Sequence, residues 1–338
     1  MSTPANKAPR FEDFLSVDVN KLRPNRSYDK MVEIRDVRMK TYLGPDGKLK
    51  PELVEEVPCP VCDSRVSTPE FEKEGFQFVK CSDCGLTYVN PALKDEHVRQ
   101  VYKHQSYTDI LTALSEPSDV YRRERFGKER VAIVNRFTGR KPGERARLLD
   151  VGCASGFFVA AAQDDGWDAH GIESNPYIAE FARKQGLNVL TETIEETSLP
   201  AASFRAVSLF EVIEHVTQPM PILRKVHDLL EPGGMIFLYT PNFHSAERLM
   251  LGNAAHYIWG ANHLTYFTAD SLASALDRAG FDVVHSETQG LDIEDVIWHF
   301  EHHGQYDMAF ARAFRDELQF LINASGWGKN LRMYARKR

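Results

Sequence analysis

The chain has 338 residues, of which 43% are hydrophobic and 26% charged, the range of a globular protein that buries a large core without disulfides. Its 41 Lys and Arg stand against 48 Asp and Glu, a formal charge of -7, which argues against a nucleic-acid coat or a polybasic membrane binder. No run of about 18 apolar residues occurs and the N-terminus lacks an apolar signal core, so no membrane span and no secretory leader are expected, and a cytoplasmic location is.

Four regions separate along the chain. Residues 1–54 form a polar, Pro-punctuated N-terminal extension with one helical stretch, YDKMVEIRDVRMKTYL. Residues 55–91 hold four cysteines between the β-like runs Phe76–Val79 and Leu86–Val89. Residues 92–145 are charge-rich and helical in pattern, a cap that stops at Lys141-Pro142-Gly143. Over 146–338 strands and helices alternate, the signature of a parallel α/β sheet. Strands are expected at Arg147–Val151, Asp168–Ile172, Asn188–Thr191, Ala206–Phe210 and Met235–Thr240, with Phe281–Glu287 and Asn330–Ala335 as an antiparallel edge pair. Helices are expected at Phe157–Asp165, Pro176–Gln185, Met220–Leu230 and Ala269–Arg278. Right-handed crossovers wind such elements into one doubly wound sheet with its crevice at the strands' carboxyl ends.

Cys59-Pro-Val-Cys62 and Cys81-Ser-Asp-Cys84 are two C-x-x-C knuckles. Each knuckle turns both thiolates toward one tetrahedral centre, and four thiolates close a structural Zn2+ site with no open position. The expectation is a zinc ribbon; disulfides and a redox pair are the alternatives.

Leu148-Leu149-Asp150-Val151-Gly152-Cys153-Ala154-Ser155-Gly156 reads as a strand, a small-residue loop and a helix start. Small residues admit a ligand to the backbone, and the helix N-terminus offers free N–H groups. The glycine spacing misses the dinucleotide fingerprint, so a nicotinamide enzyme is disfavoured. Glu173 follows at the end of the next strand, where a carboxylate can accept both ribose hydroxyls. LLDVGCASGFF, GIESNP, SLPAASFRAVSLFEVIEHV and LLEPGGMIFLYTPN, in that order, resemble class I S-adenosylmethionine-dependent methyltransferases. The cysteine module resembles the zinc ribbon fused to many of them, including nucleotide-sugar methyltransferases. The resemblance implies a seven-stranded Rossmann-like methyltransferase sheet preceded by a small zinc ribbon and a helical cap. It further implies that Asp150, Gly152 and Gly156 shape the cofactor's methionine pocket, with backbone amides from Cys153 and Ser155. Glu173 then holds the ribose, Thr193 and Ile194 border the adenine, and Phe210 and Glu211 close the methionine end. Ala154 and Arg205 depart from the family's common glycine and acidic residue.

Glu211-Val-Ile-Glu214-His215, with His263 further on, forms an oxygen–nitrogen set suited to a divalent ion such as Mg2+. It resembles the metal site of ubiquinone-biosynthesis O-methyltransferases and of plant small-RNA 2′-O-methyltransferases. His215 as a metal-free general base, and a purely structural role for Glu214 and His215, are the other readings. Tyr239, Asn242, His244, His256, Tyr257 and Trp259 lie at the end of the fifth strand and in the insert after it, the place of a substrate lid, with core packing as the alternative reading. The acceptor suggested by analogy is a hydroxyl of a sugar or nucleotide-sugar. RNA methylation, with the basic stretch at 21–50 on phosphates, is the runner-up, although the acidic charge does not favour a nucleic-acid partner. C- or N-methylation of a natural product and a cofactor-binding protein without turnover also stand, and a homodimer stays open.

Overall fold

The structure, a computed structural model, describes residues 9–338 apart from His104 and Gln305. Its main sheet has seven strands: β6 (Arg147–Val151), β7 (Asp168–Ile172), β8 (Asn188–Leu190), β9 (Phe204–Phe210), β10 (Leu230–Pro241), β12 (Phe281–Gln289) and β13 (Asn330–Lys337). Their spatial order is β12-β13-β10-β9-β6-β7-β8. β8, β7, β6, β9 and β10 run parallel, and β13 lies antiparallel to both β10 and β12. The expected antiparallel edge pair is present, with β13 slotted between β10 and β12. Helices Pro219–Leu229 and Ala269–Arg278 cover one face through Leu223, Val226, Leu272 and Leu276. Helices Phe157–Asp164, Pro176–Lys184 and Lys128–Thr138 cover the other through Phe158, Ala162, Ala182 and Val134. Strands buried on both sides by helices need continuous apolar runs, and β9 and β10 supply them.

The cysteine module comprises β1 (Val54–Glu55), β2 (Ser67–Lys73), β3 (Phe76–Cys81), β4 (Thr87–Val89) and β5 (Ala92–Leu93). β1 pairs with β5 and closes the module's two ends. β2, β3 and β4 form a sheet whose fourth strand, β11 (Thr265–Tyr266), comes from the α/β region. Val89 N donates to Leu264 O at 3.0 Å, and Leu264 N donates to Glu214 O at 2.7 Å. The module is therefore stitched by backbone hydrogen bonds to the segment that carries Glu214 and His263.

The N-terminal helix Ser27–Tyr42 has few buried side chains, among them Tyr28, Met39 and Tyr42. Arg38 stacks over Trp259 at 4.7 Å, and the Tyr28 ring meets Trp298 edge-on at 5.0 Å. The extension thus packs over the insert after β10, where the lid is expected. The cap helices Asp95–Lys103 and Gln105–Arg122 run into a π-turn at Arg123–Gly127. A Cβ on Gly127 would lie 2.8 Å from Ala161 Cβ, so the cap sits directly on the helix that follows the glycine loop.

Candidate active site

β6 ends in a loop that only glycine completes at two points. Gly152 has φ 70° and Gly156 has φ 82°, left-handed values that cost other residues about 1–2 kcal/mol. The Gly152 and Cys153 amides donate to Ile172 O at 2.8 and 3.0 Å, and the Ala154 amide donates to Glu173 Oε2 at 3.1 Å. Glu173 Oε1 accepts from Asn175 N at 2.8 Å. Glu173 is thus buried and already braces the loop, and burial raises its pKa. Each of its oxygens keeps a lone pair for a further donor. The cap latches on at two side chains: Ser155 Oγ donates to Asp119 Oδ1 at 2.9 Å, and Asn175 Nδ2 donates to Thr108 Oγ1 at 3.0 Å. Beneath the loop, Asp150 Oδ1 accepts from Ser208 Oγ at 2.6 Å, and burial pushes its carboxyl up to about 7.

Two cavities flank this loop. The first, about 450 Å³, is walled by Gly152, Thr193, Ile194, Val212 and His215, with Asp95 and Arg99 of the cap across from them. The second, about 280 Å³, lies at the carboxyl end of β9 and β10, walled by Phe157, Glu211, Tyr239 and Asn330 together with a group of cations. Phe210 packs between Phe158 (centroids 5.0 Å) and Tyr239 (4.3 Å). Glu211 holds φ 59°, a strained geometry for a non-glycine residue that concentrates at functional sites. Its amide donates to Tyr239 O at 2.8 Å, and Asn330 Nδ2 donates to its Oε1 at 2.8 Å.

The segment 211–215 forms a wall of both cavities, with Glu211 on the second and His215 on the first. Behind it Glu214, His215 and His263 bring one ligand atom each to within 4.8 Å of one another. His215 Nδ1 faces Asn262 O at 2.9 Å and His263 Nδ1 faces Tyr257 O at 2.7 Å. A backbone carbonyl that takes an Nδ1–H, as Tyr257 O does from His263, is the pattern of metal-ligating histidines; His215 Nδ1 also faces Asn262 Nδ2 at 3.2 Å, and its Nε2 lies 3.6 Å from Glu214 Oε1. Burial pushes His215 down to about 4 and, with His215 beside it, holds His263 far below its ordinary value. Both rings are neutral at pH 7. Glu214 Oε2 accepts from Thr240 Oγ1 at 3.0 Å, whereas the buried Oε1 has no hydrogen-bond partner. Burial and the neighbouring Glu211 raise the Glu214 carboxyl. The donor set and its orphaned oxygen fit a hard or borderline divalent ion. Glu211 lies outside the close triple but against Glu214.

Cys59, Cys62, Cys81 and Cys84 place their sulfurs within 4.8 Å of one another, with Cys59–Cys84 at 3.4 Å and Cys62–Cys81 at 3.5 Å. A tetrahedron with zinc–sulfur bonds of about 2.3 Å has edges of about 3.8 Å, so the four sulfurs fit one ion.

Sequence reasoning misses the cations of the second cavity. Arg23, Arg122, Arg130, Lys329 and Arg332 come from the extension, the cap, the residue before the last strand and that strand, and in sequence each reads as a solvated charge. A Lys or Arg inside an otherwise apolar terminal strand, as Arg332 is, was the one available signal.

A methyltransferase-domain family model matches residues 121–286. A ubiquinone biosynthesis O-methyltransferase from Xanthomonas axonopodis pv. citri is 32% identical over 151 residues, which are 41% of this chain and 63% of that protein. One from Cereibacter sphaeroides is 30% identical over 169 residues, 46% of this chain and 68% of that protein. The solved 1,6-didemethyltoxoflavin-N1-methyltransferase of Burkholderia thailandensis, at 17% identity, superposes with a TM-score of 0.48 over 80% of this chain and 98% of that one. The doubly wound sheet with its glycine loop defines a Rossmann-like methyltransferase. This chain belongs to the class I S-adenosylmethionine-dependent methyltransferases.

Proposed function

We propose that the protein moves the methyl group of S-adenosylmethionine to a hydroxyl of a small polar metabolite, a sugar or nucleotide-sugar. The observation that carries this reading is the pair of neutral imidazoles beside the buried Oε1 of Glu214, which has no hydrogen-bond partner and lies 3.6 Å from His215 Nε2. Those groups accept a proton or hold an ion, and a hydroxyl acceptor needs one or the other. The similar proteins named O-methyltransferases support oxygen as the acceptor atom. The polar wall of the second cavity supports a hydrophilic acceptor over an apolar one.

When bound, S-adenosylmethionine supplies an electrophilic methyl group on a sulfonium. In this reading the first cavity holds its nucleoside beside Thr193 and Ile194, with Glu173 adjoining it between the wall residues Ile172 and Ser174, and the glycine loop shapes its amino-acid end at Asp150, Gly152, Ser155 and Gly156. The Cys153 amide, donated to Ile172, contributes by fixing the loop. Phe210 and Glu211 close the path toward the second cavity. Glu214, His215 and His263 would hold a divalent ion, which would lower the pKa of a bound hydroxyl; without it, His215 Nε2 takes the proton. In-line placement of the acceptor then accounts for much of the rate. Zn2+ on the four thiolates would be structural, because a closed four-sulfur site leaves no open position.

Arg23 and Arg35 of the extension are turned inward, with side chains 15% and 17% exposed, against Asp295 and Glu74. That placement does not favour a phosphate-gripping arm. The test follows labelled methyl from S-adenosylmethionine into a cell extract split into small molecules, RNA and protein. Label among small molecules is expected. Label confined to RNA or protein, or no transfer at all, would overturn the reading.

A further inference from the structure

The second cavity gathers five cations, two of which have no carboxylate partner of their own. Arg23, Arg122, Arg130, Lys329 and Arg332 line it, against the carboxylates of Glu211 and Asp295. Three of these cations are matched. Arg23 lies 2.6 Å from Asp295, Lys329 lies 2.5 Å from Asp295 and 2.9 Å from Glu247, and Arg332 lies 2.8 Å from Glu129 and 3.7 Å from Glu287. Arg122 and Arg130 have no carboxylate oxygen within 4.0 Å among the described residues. Arg122 Nε donates to Ser118 Oγ at 2.7 Å. Arg130 lies over Phe210 at 4.4 Å and Tyr239 at 5.0 Å, and its buried Nε has no partner. Arg332, only 5% exposed, also leaves its Nε without a partner.

Gathering guanidinium groups around one cavity is unfavourable unless something brings the countercharge. In a low-dielectric pocket an uncompensated charge costs several kcal/mol or more. Burial, with Arg130 and Arg23 nearby, pushes Arg122 down to about 10, so it is still a cation at pH 7. The cofactor does not balance the site. It brings one carboxylate, but also an ammonium and a sulfonium, so the pocket becomes more positive when it is loaded. Arg130, next to Phe157 and Phe210 at the glycine-loop end, is placed to meet that carboxylate. Arg122 and the open edge of Arg332 are left over.

We propose that the methyl acceptor is itself an acid, a phosphate ester or a carboxylic acid of the small-metabolite class, whose anionic group is held by Arg122 and Arg332. This rests on the methyltransferase reading above and narrows its substrate class. A guanidinium presents a planar fork of donors that matches either oxyanion, so the two sources share one chemistry. Glu211, strained, faces the same cavity and adjoins Glu214. It keeps the acidic end of the acceptor away from the proton-accepting end by like-charge repulsion, which fixes the direction in which the molecule enters.

The experiment is titration calorimetry on the full chain saturated with S-adenosylhomocysteine, at constant ionic strength. The probes are pyrophosphate and UDP for phosphate, glucuronate and benzoate for carboxylate, and glucose as the neutral control. Saturable binding of at least one anionic class without glucose binding is expected, and the class that binds identifies the source. Arg122→Gln should weaken that binding by about tenfold or more, while S-adenosylhomocysteine affinity stays within about twofold. Arg332→Lys, which retains the charge and the contact with Glu129 but loses the fork, serves where Arg122→Gln does not fold. Absence of saturable anion binding by the loaded protein overturns the proposal and leaves the methyltransferase reading standing. Equal binding by the wild type and both variants overturns it as well. Failure of the wild type to bind S-adenosylhomocysteine would instead defeat the underlying reading.

Discussion

Gly152→Ala probes whether the glycine loop shapes the cofactor cavity through its backbone. With φ at 70°, an alanine there costs about 1–2 kcal/mol of conformational strain. The new Cβ would also lie 2.7 Å from Val212 Cγ2. Relieving that overlap means moving a residue packed against the main core, which adds about 1–3 kcal/mol. The single variant should therefore lose about 2–5 kcal/mol in urea denaturation. Gly152 and Val212 are both walls of the first cavity, so S-adenosylhomocysteine affinity should also fall by about tenfold, which corresponds to about 1.4 kcal/mol. Val212→Ala removes the overlapping methyl without touching the strain. In the double variant the overlap portion should return, a favourable coupling of about 1–3 kcal/mol relative to the sum of the singles. Additivity within about 0.5 kcal/mol, or a Gly152→Ala protein with unchanged stability, would refute this account of the loop.

Burial holds Asp150 near 7 against an ordinary 3.8, so the folded chain keeps a proton that the unfolded chain has released. Its contribution is full below about pH 4 and is lost as pH rises toward 7, of order 4 kcal/mol at about 1.4 kcal/mol per unit. Asp150→Asn should flatten that slope in urea melts compared at about pH 4.5 and 7.5, and an unchanged slope would place the effect elsewhere. Cys59→Ser with Cys81→Ser should abolish zinc content by atomic absorption and also lower methyl transfer, because β4 backs the β11 strand that joins Leu264 to Glu214; full activity in a zinc-free, folded variant would count against that coupling. Chelation should suppress turnover and Mg2+ or Mn2+ should restore it, with Glu214→Gln insensitive to either; activity indifferent to chelator would leave His215 as a metal-free base. Arg130→Gln should weaken S-adenosylhomocysteine binding more than Arg122→Gln does, and the reverse ranking would exchange the roles assigned to the two arginines.

Much of the scaffold is written locally. The bounds of β6, β7 and the helix Ala269–Arg278 coincide with those read from apolar runs and breakers. An apolar run between breakers fixes a buried strand through local geometry alone, whatever it later packs on. The two cysteine knuckles are equally local, since a C-x-x-C turn sets its own two sulfurs. Glu211-x-x-Glu214-His215 stands out because its members are within five residues of one another. His263 joins them through the fold, and the structure brings it to Glu214 and His215 by way of β11 and the Leu264 hydrogen bond.

The tertiary structure alone decided three further things. β11 adds a catalytic-domain strand to the cysteine module, a pairing between two-residue and three-residue strands that no periodicity announces. The extension, whose Lys and Arg look solvent-bound in sequence, sends Arg23 inward to Asp295. The second cavity collects Arg23, Arg122, Arg130, Lys329 and Arg332 from segments as much as 309 residues apart. Hydrophobic pattern records which face of an element is buried. A charge at the end of a strand or on a cap helix carries no such record, because its burial depends on which distant cation or carboxylate arrives beside it. Elements and their faces are therefore local properties of this sequence, while the polarity of the pocket, and with it the kind of acceptor, exists only once the chain has closed around it.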